Sequence, residues 1–448
     1  MKKSFFSLAI LAVLLSGAAR AQDISYTPEN VKKEFQHAWA GYKKYAWGHD
    51  ALRPLTKKPR DWYAVSFVMT PVDAFDTMEL MGLKAEADEA KALIFEKLSF
   101  NRNISIQTFE FNIRLIGGLL SAYQLDGDPR FLKLAKDLAD RSLPQFNSHT
   151  GMPYRFVNLQ TGKLRDSLNN PAEIGTSLIE YGMLTRLTGD SVYYKKSKNA
   201  AMQMFNRRSK LGLVGSTINV ETGVWTDSTS HISGGIDSYY EYLLKASILF
   251  GDPDIKMMWD SSITAINTYL ADTTHGGLWY RQADMNTGNA LSTEFGALDA
   301  FFPAVLALSG DVRRAKMLEE NAYKMWNLNG IEPEEINYAA MKVAYPPYPL
   351  RPEIIESAYY LYHYTHDQHY KDMGAKFFSD LVKYCRTDDG YAAMKDVTTH
   401  EKADGMESFF FAETLKYLYL LAAPESALDF DKVIFNTEAH PMSRVASR

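Results

Sequence analysis

One kind of helix ending returns about every sixty residues, and this recurrence constrains the fold more than any other feature of the chain. Tyr123-Gln-Leu-Asp-Gly127-Asp128, Leu187-Thr-Gly189-Asp190, Leu249-Phe-Gly251-Asp252, Leu308-Ser-Gly310-Asp311 and Tyr364-Thr-His366-Asp367 each close an apolar run. The closing residue, usually Gly, suits the left-handed backbone at a helix C-terminus, and a polar turn follows it. From one closing residue to the next the spacings are 62, 62, 59 and 56 residues. Met81-Gly82-Leu83 and Leu421-Ala-Ala-Pro424 read as outer members of the series. A period of this length holds two helices, so it predicts six or seven helical hairpins, in an open solenoid or a closed ring. The first helix should start at Thr27-Pro28, a cap followed by Pro in the first turn. Val31, Phe35, Trp39, Tyr42 and Tyr45 then fall near one face. Gly-rich stretches such as Leu211 to Asn219 and Gly276 to Gln282 read as hairpin loops at one end.

Acids keep step with the repeat. Glu110, Glu173, Asp237, Glu353 and Glu407 stand 13 to 17 residues before their respective helix ends. That is one helix length, roughly 20–25 Å at 1.5 Å per residue. Side chains at one phase of a hairpin repeat emerge at one rim, and in a closed ring they converge. Each acid also has a purely local role. Asn170-Pro-Ala-Glu173 is a capping box, Pro352-Glu353 is first-turn chemistry, and Asp237 opens a helix whose dipole favours it.

Two helices argue for convergence. In the helix holding Glu110, Arg114, Gly117 and Ser121 lie on its stripe, with Phe109, Ile113, Ile116 and Leu120 on one flank and Phe111, Leu115, Leu119 and Tyr123 on the other. A helix apolar nearly all round is buried, so its charged stripe must face a polar cavity or a partner. Met406-Glu407-Ser408-Phe-Phe-Phe-Ala-Glu-Thr-Leu-Lys reads likewise, setting Glu407 among aromatics. Several buried carboxylates in one place include a member that holds its proton, the condition for an acid beside a base. Carboxylates, aromatics and an arginine together indicate a sugar site.

Composition removes competing classes. The chain has a net charge of −5 and no basic run, which argues against nucleic acid and anionic membranes. Lys2-Lys3, an apolar stretch from Phe5 to Leu15 and the small-x-small end Ala19-Arg20-Ala21 form an export leader, residues 1–21, cleaved before Gln22. The product is expected to be secreted or periplasmic, with no membrane anchor. Its charge becomes −8, and Cys385 alone leaves it without an internal disulfide. No phosphate loop, zinc motif or cysteine nucleophile is present, and the ten histidines lack metal-ligand spacing. His363, His366 and His369 read as packing or surface residues. With no linker in sight, residues 22–441 are read as one domain and 442–448 as a tail.

At these residues the chain resembles glycoside hydrolase family 47, the class I α-1,2-mannosidases. The resemblance runs through Tyr42-Lys-Lys-Tyr-Ala-Trp-Gly48-His-Asp50, Val72-Asp73-Ala-Phe-Asp76-Thr-Met-Glu-Leu-Met-Gly82, Phe109-Glu110-Phe-Asn-Ile-Arg114 and Pro153-Tyr154-x-x-Val157-Asn158. It continues through Asp237-Ser-Tyr-Tyr-Glu-Tyr-Leu-Leu-Lys245, Leu350-Arg351-Pro-Glu353-x-x-Glu356-Ser, Met406-Glu407-Ser-Phe-Phe and Phe435-Asn-Thr437-Glu438-Ala-His440-Pro441. It implies an all-α, (α/α)7 barrel with short β-hairpin loops at one end. It also implies an inverting, calcium-dependent exo-α-mannosidase of bacterial, exported type that takes mannose-containing oligosaccharides, acts on α-1,2 linkages and is a monomer. By position, Glu353 resembles the general base acting on water, and Glu110 and Asp237 resemble the two candidates for general acid. Thr437 resembles the direct ligand of Ca2+, and Arg114, Glu173, Arg351, Glu407 and Glu438 resemble sugar-binding or water-holding residues. Departures stand at Gly235, where many relatives carry a basic residue, at Ala297 in place of a histidine, and at Ala51 in place of an acid. They leave room for a different class of function, a mannose-glycan-binding protein with little or no hydrolysis.

Overall fold

In the computed structural model, which describes residues 24–444, seven helices surround a central axis and seven more pack outside them. The expected leader, 1–21, lies outside the described residues. The inner helices begin near residues 69, 108, 171, 237, 298, 353 and 409. Each leads through a tight turn into an outer helix, except the last, whose outer partner is the first helix of the chain, Pro28–Ala46. Helix Met69–Met81 packs on Gly117–Asp126 at one side and on Phe410–Thr414 at the other, which closes the ring. The fold is an all-α (α/α)7 barrel, and of the two predicted arrangements the closed one forms.

The turns form as their residues dictate. Gly82, Gly127, Gly189, Gly251 and Gly310 all take positive φ, and His366 does so at 51°. At four of these turns the aspartate that follows then caps the outer helix. Asp128 accepts from the Arg130 N–H at 3.0 Å, Asp252 from Asp254 at 3.0 Å, Asp311 from Arg314 at 3.1 Å and Asp367 from His369 at 3.1 Å. Thr27 caps the first helix as expected, accepting from the Asn30 N–H at 3.2 Å. Outer helices are amphipathic; in Pro129–Ser142, Phe131, Ala135, Leu138, Ala139 and Ser142 face inward at helical spacing. Inner helices are buried on nearly every side because outer helices cover one face and neighbours the others. No described helix is long and apolar enough to cross a membrane.

Short antiparallel sheets fill one end of the barrel, among them the hairpins Phe156–Asn158 with Leu164–Arg165 and Glu335–Asn337 with Lys342–Tyr345. One further hairpin enters from the opposite end. Val433–Phe435 pairs with Pro441–Ser443, and Met442 is fully buried. Met442 and Ser443, expected to belong to a C-terminal tail, instead complete a strand. The Ser443 N–H donates to Gln124 and its carbonyl accepts from Arg186, near the C-terminal ends of two inner helices. The hairpin tip reaches deeper, where the Asn436 amide donates to the Ile113 carbonyl at 2.9 Å. Eleven residues of helix, about 16 Å, separate Gln124 from Ile113.

Candidate active site

The inner helices all point their N-terminal ends toward the hairpin loops, and there they enclose a cavity of about 380 Å³. Glu110, Arg114, Glu173, Asp237, Arg351, Glu353, Thr437 and Glu438 all line it. Four inner helices and the axial hairpin thus bring together residues up to 328 positions apart.

Each group is placed by its local sequence. Asp237 and Glu353 are the first residues of their helices, and Glu173 lies in the first turn of Pro171–Gly175. Ahead of Glu353, Leu350 is left-handed with φ 70°, and its carbonyl accepts from the Thr414 hydroxyl at 2.8 Å. That contact holds a backbone shape a leucine resists, and it fixes the approach of Arg351-Pro-Glu353. Glu110 and Arg114 meet at 2.9 Å across a π-helical segment, Phe111–Ile116, and Arg114 also binds Glu438. Such single-turn π-segments recur at functional sites.

Thr437 reaches the cavity floor because its turn is held on every side. Asn436 accepts from the N–H groups of Glu438 and His440, and its amide donates to Ile113 and to Glu180. The Thr437 N–H donates to the Tyr242 hydroxyl at 3.3 Å, which donates to Glu180 at 2.6 Å. Gly117 is required here. A Cβ on it would stand 2.5 Å from the Asn436 amide nitrogen and 3.1 Å from the His440 ring.

The site is rich in acid. Burial pushes the Asp237 carboxyl up to about 7. Burial also raises Glu353 to about 7, against the pull of Arg351, 3.9 Å away. Burial, with mutual repulsion, holds Glu413 and Glu438 above the usual carboxylate range. One oxygen of Glu353 is buried with no hydrogen-bond partner among the described residues. A smaller space of about 50 Å³ extends the floor between Asp237, Glu241, Glu353, Glu356, Glu413 and Thr437, large enough for water. Among the described residues, no three His, Cys, Asp or Glu side chains form a group that could itself hold a metal ion.

Residues 34–444 match the family described as glycosyl hydrolase family 47. The chain belongs to that family. Among its relatives, alpha-mannosidase I MNS4 of Arabidopsis thaliana is 38% identical over 450 residues, covering 95% of this chain and 71% of that one. Mannosyl-oligosaccharide 1,2-alpha-mannosidase IB of Homo sapiens is 35% identical over 463 residues, covering 96% and 72%. The solved structure of the alpha-1,2-mannosidase from Trichoderma reesei superposes with a TM-score of 0.86 at 28% identity, over 94% of this chain and all of that one.

One expected residue of this family 47 site does not line the cavity. Glu407 precedes the last inner helix and turns outward, pairing with Arg60 and accepting from the Trp62 indole N–H at 3.2 Å. Its expected place is taken by Glu413, in the π-helical segment Phe410–Thr414, with Phe409 beside it on the wall. The argument that picked out Glu110, a carboxylate inside an apolar helix, applies to Glu413, whereas Glu407 lies before the helix starts. Gln107, Arg155 and Leu298 also line the cavity without sequence signals of their own, as does Asn170, whose sequence signal was that of a helix cap. Of the departures, Gly235 takes φ 91° on the cavity wall, and Ala297 is buried immediately before Leu298.

Proposed function

We propose that this chain is an inverting, calcium-dependent exo-α-mannosidase that removes terminal α-1,2-linked mannose from high-mannose glycans. The observation that carries this reading is the meeting of Asp237, Glu353 and Glu110 in one cavity above Thr437. Catalytic carboxylates on separate helices, with room between them for sugar and water, suit inversion. Asp237 is the better placed donor. Burial favours its protonated form, and Glu110 already accepts from Arg114. In the reaction Asp237 gives its proton to the glycosidic oxygen as the C1–O bond breaks. Glu353 takes a proton from the water that attacks C1 from the other face, and the released mannose is the β anomer. Arg351, braced by Glu334, stands beside Glu353 and supports its charged form.

Calcium fits the floor. It takes six to eight oxygen ligands, and the Thr437 hydroxyl, which bonds to no other described residue, and the Thr437 carbonyl would supply two, with waters and sugar hydroxyls completing the set. The surrounding carboxylates, several raised by burial and mutual repulsion, are offset by few cations: Arg114, Arg351, Arg155 beside Glu173, and Lys245 beside Glu241 and Glu356. A divalent ion would balance that excess, and when bound it would polarise the oxygens gathered around it. The leader supports export, with cleavage before Gln22.

The test is turnover of methyl 2-O-α-mannosyl-α-mannoside with and without a chelator, followed by proton NMR. β-Mannose formed only with calcium present is expected. Tight binding of the disaccharide with no product after long incubation would instead favour a glycan-binding protein.

A further inference from the structure

At the mouth of the cavity, Glu173 has one oxygen crowded and one bare. Its Oε1 accepts from the Gln107 amide at 2.8 Å, the Arg155 Nε at 3.0 Å and the Asn170 amide at 3.3 Å. Its Oε2 is buried, with no partner among the described residues. The carboxylate is 5% exposed, whereas Arg155 is 39% exposed and spends only Nε on it. Both terminal nitrogens of Arg155 make no hydrogen bond to any described residue. A bare buried acceptor is costly to leave unmet, and beside it stands a fork of unused donors. The fork, open to the cavity and held through Nε by Glu173, can donate to neighbouring hydroxyls of one sugar.

The adjoining wall leaves room for such a ring, where the Gly235 carbonyl accepts from the Ala172 N–H at 2.9 Å. Gly234 and Gly235 line the cavity there, and a Cβ on Gly235 would find no heavy atom nearer than 3.8 Å, the nearest being Asn170. Depth then sets which sugar this is. An exo-acting site holds the terminal residue deepest, against Asp237, Glu353 and Thr437. The next sugar lies on the solvent side, where Arg155 is half open.

We infer that Arg155, held in place by Glu173, binds vicinal hydroxyls of the leaving-group sugar and so sets preference for what the terminal mannose is attached to. This rests on the α-mannosidase reading above. Arg155 has no part in proton transfer, so it is a specificity-determining residue.

Two substrates separate the roles: methyl 2-O-α-mannosyl-α-mannoside, which has a leaving sugar, and α-mannosyl fluoride, which has none. Charge-assisted hydrogen bonds at such a site predict that Arg155→Met lowers the ratio of their kcat/KM values by about 10- to 100-fold, mostly through KM for the disaccharide. Arg155→Lys, which keeps the charge but not the fork, should recover part of that ratio. An unchanged ratio overturns the inference, whether both rates fall together or neither does. If the unsubstituted enzyme turns over neither substrate, the mannosidase reading fails and takes this subsite with it.

Discussion

His440 Nδ1 lies 2.6 Å from an oxygen of Asp76, and both residues are fully buried. Through that contact the turn carrying Thr437 is tied to the inner helix Met69–Met81. Asp73, one turn earlier, meets the other ring nitrogen at 3.1 Å and stands 3.5 Å from Arg114. Lys416 completes the cluster, 2.8 Å from Asp76 and donating to the Ala439 carbonyl at 2.6 Å. Burial works to raise Asp76, but Lys416 and His440 outweigh it and hold the carboxyl at about 2. Burial works to lower His440, and the two aspartates outweigh it, raising it to about 9.

The signs of these shifts give a stability profile. His440 has a folded pKa above its ordinary 6.5, so its contribution is full below pH 6.5 and disappears as pH rises to about 9. Asp76 has a folded pKa below its ordinary 3.8, so its contribution is full above that value and disappears as pH falls to about 2. The alkaline loss should be on the order of 3 kcal/mol, since each pKa unit is worth about 1.4. Urea denaturation midpoints measured from pH 6 to 9.5 should fall in step, and His440→Gln should flatten that limb while lowering overall stability. A midpoint in the native protein that stays level across this range would contradict the assignment.

Glu353→Gln should reduce kcat by about 10²- to 10⁴-fold or more while leaving thermal unfolding nearly unchanged. Amide for carboxylate keeps the shape of a group one of whose oxygens, buried, has no partner to lose. Asp237 must carry its proton to act, and burial places it at about 7, so kcat/KM should fall as pH rises through that region. Asp237→Asn should remove that limb along with most of the rate. A steady-state pH profile of both variants beside the native enzyme checks the pair of assignments.

These roles were partly legible before any coordinates. Gly127, Gly189 and Gly251 announced the hairpin period because only a left-handed residue ends a helix in that way cheaply. Glu173, Asp237 and Glu353 were legible because first-turn acids repeat with the hairpin. Glu407 misled because counting along an apolar segment does not show where its helix starts; the helix begins after Ser408, and Glu413 turns inward. The π-helical segments at Phe111–Ile116 and Phe410–Thr414 leave no periodic trace, yet they aim Arg114 and Glu413. Arg155 was invisible because its meaning comes from Glu173, eighteen residues away and across a strand.

Removing calcium should stop turnover, and adding it back should restore the rate. The ion should also raise the melting temperature in proportion to the logarithm of its concentration once above Kd, since only the folded turn gathers its ligands. Thr437→Val, which keeps the shape and deletes the hydroxyl, should weaken calcium binding in calorimetry without unfolding the barrel. Equal affinity in that variant would remove Thr437 from the ligand set.

A close approach beneath the site offers a mutation away from the chemistry. Gly117 has neither substrate nor acid beside it, but its Cα faces the Asn436 amide and the His440 ring. In Gly117→Ala the new methyl would stand 2.5 Å from the amide nitrogen, which must move. That nitrogen donates to Ile113 and Glu180, so movement breaks bonds that fix the Thr437 turn. Helix propensity favours alanine by about 1 kcal/mol. Overpacking costs about 1–3 kcal/mol, and each lost buried hydrogen bond adds about 1 or more. The sum is destabilising, and the displacement falls on the turn that carries Thr437. Gly117→Ala should therefore lower calcium affinity more than tenfold while lowering the melting temperature by only a few degrees. Gly127→Ala, at an exposed turn with no heavy atom within 4 Å of the added methyl, should lower stability through its positive φ and leave calcium affinity alone. Calorimetry on the two variants side by side distinguishes displacement of the turn from loss of stability in general.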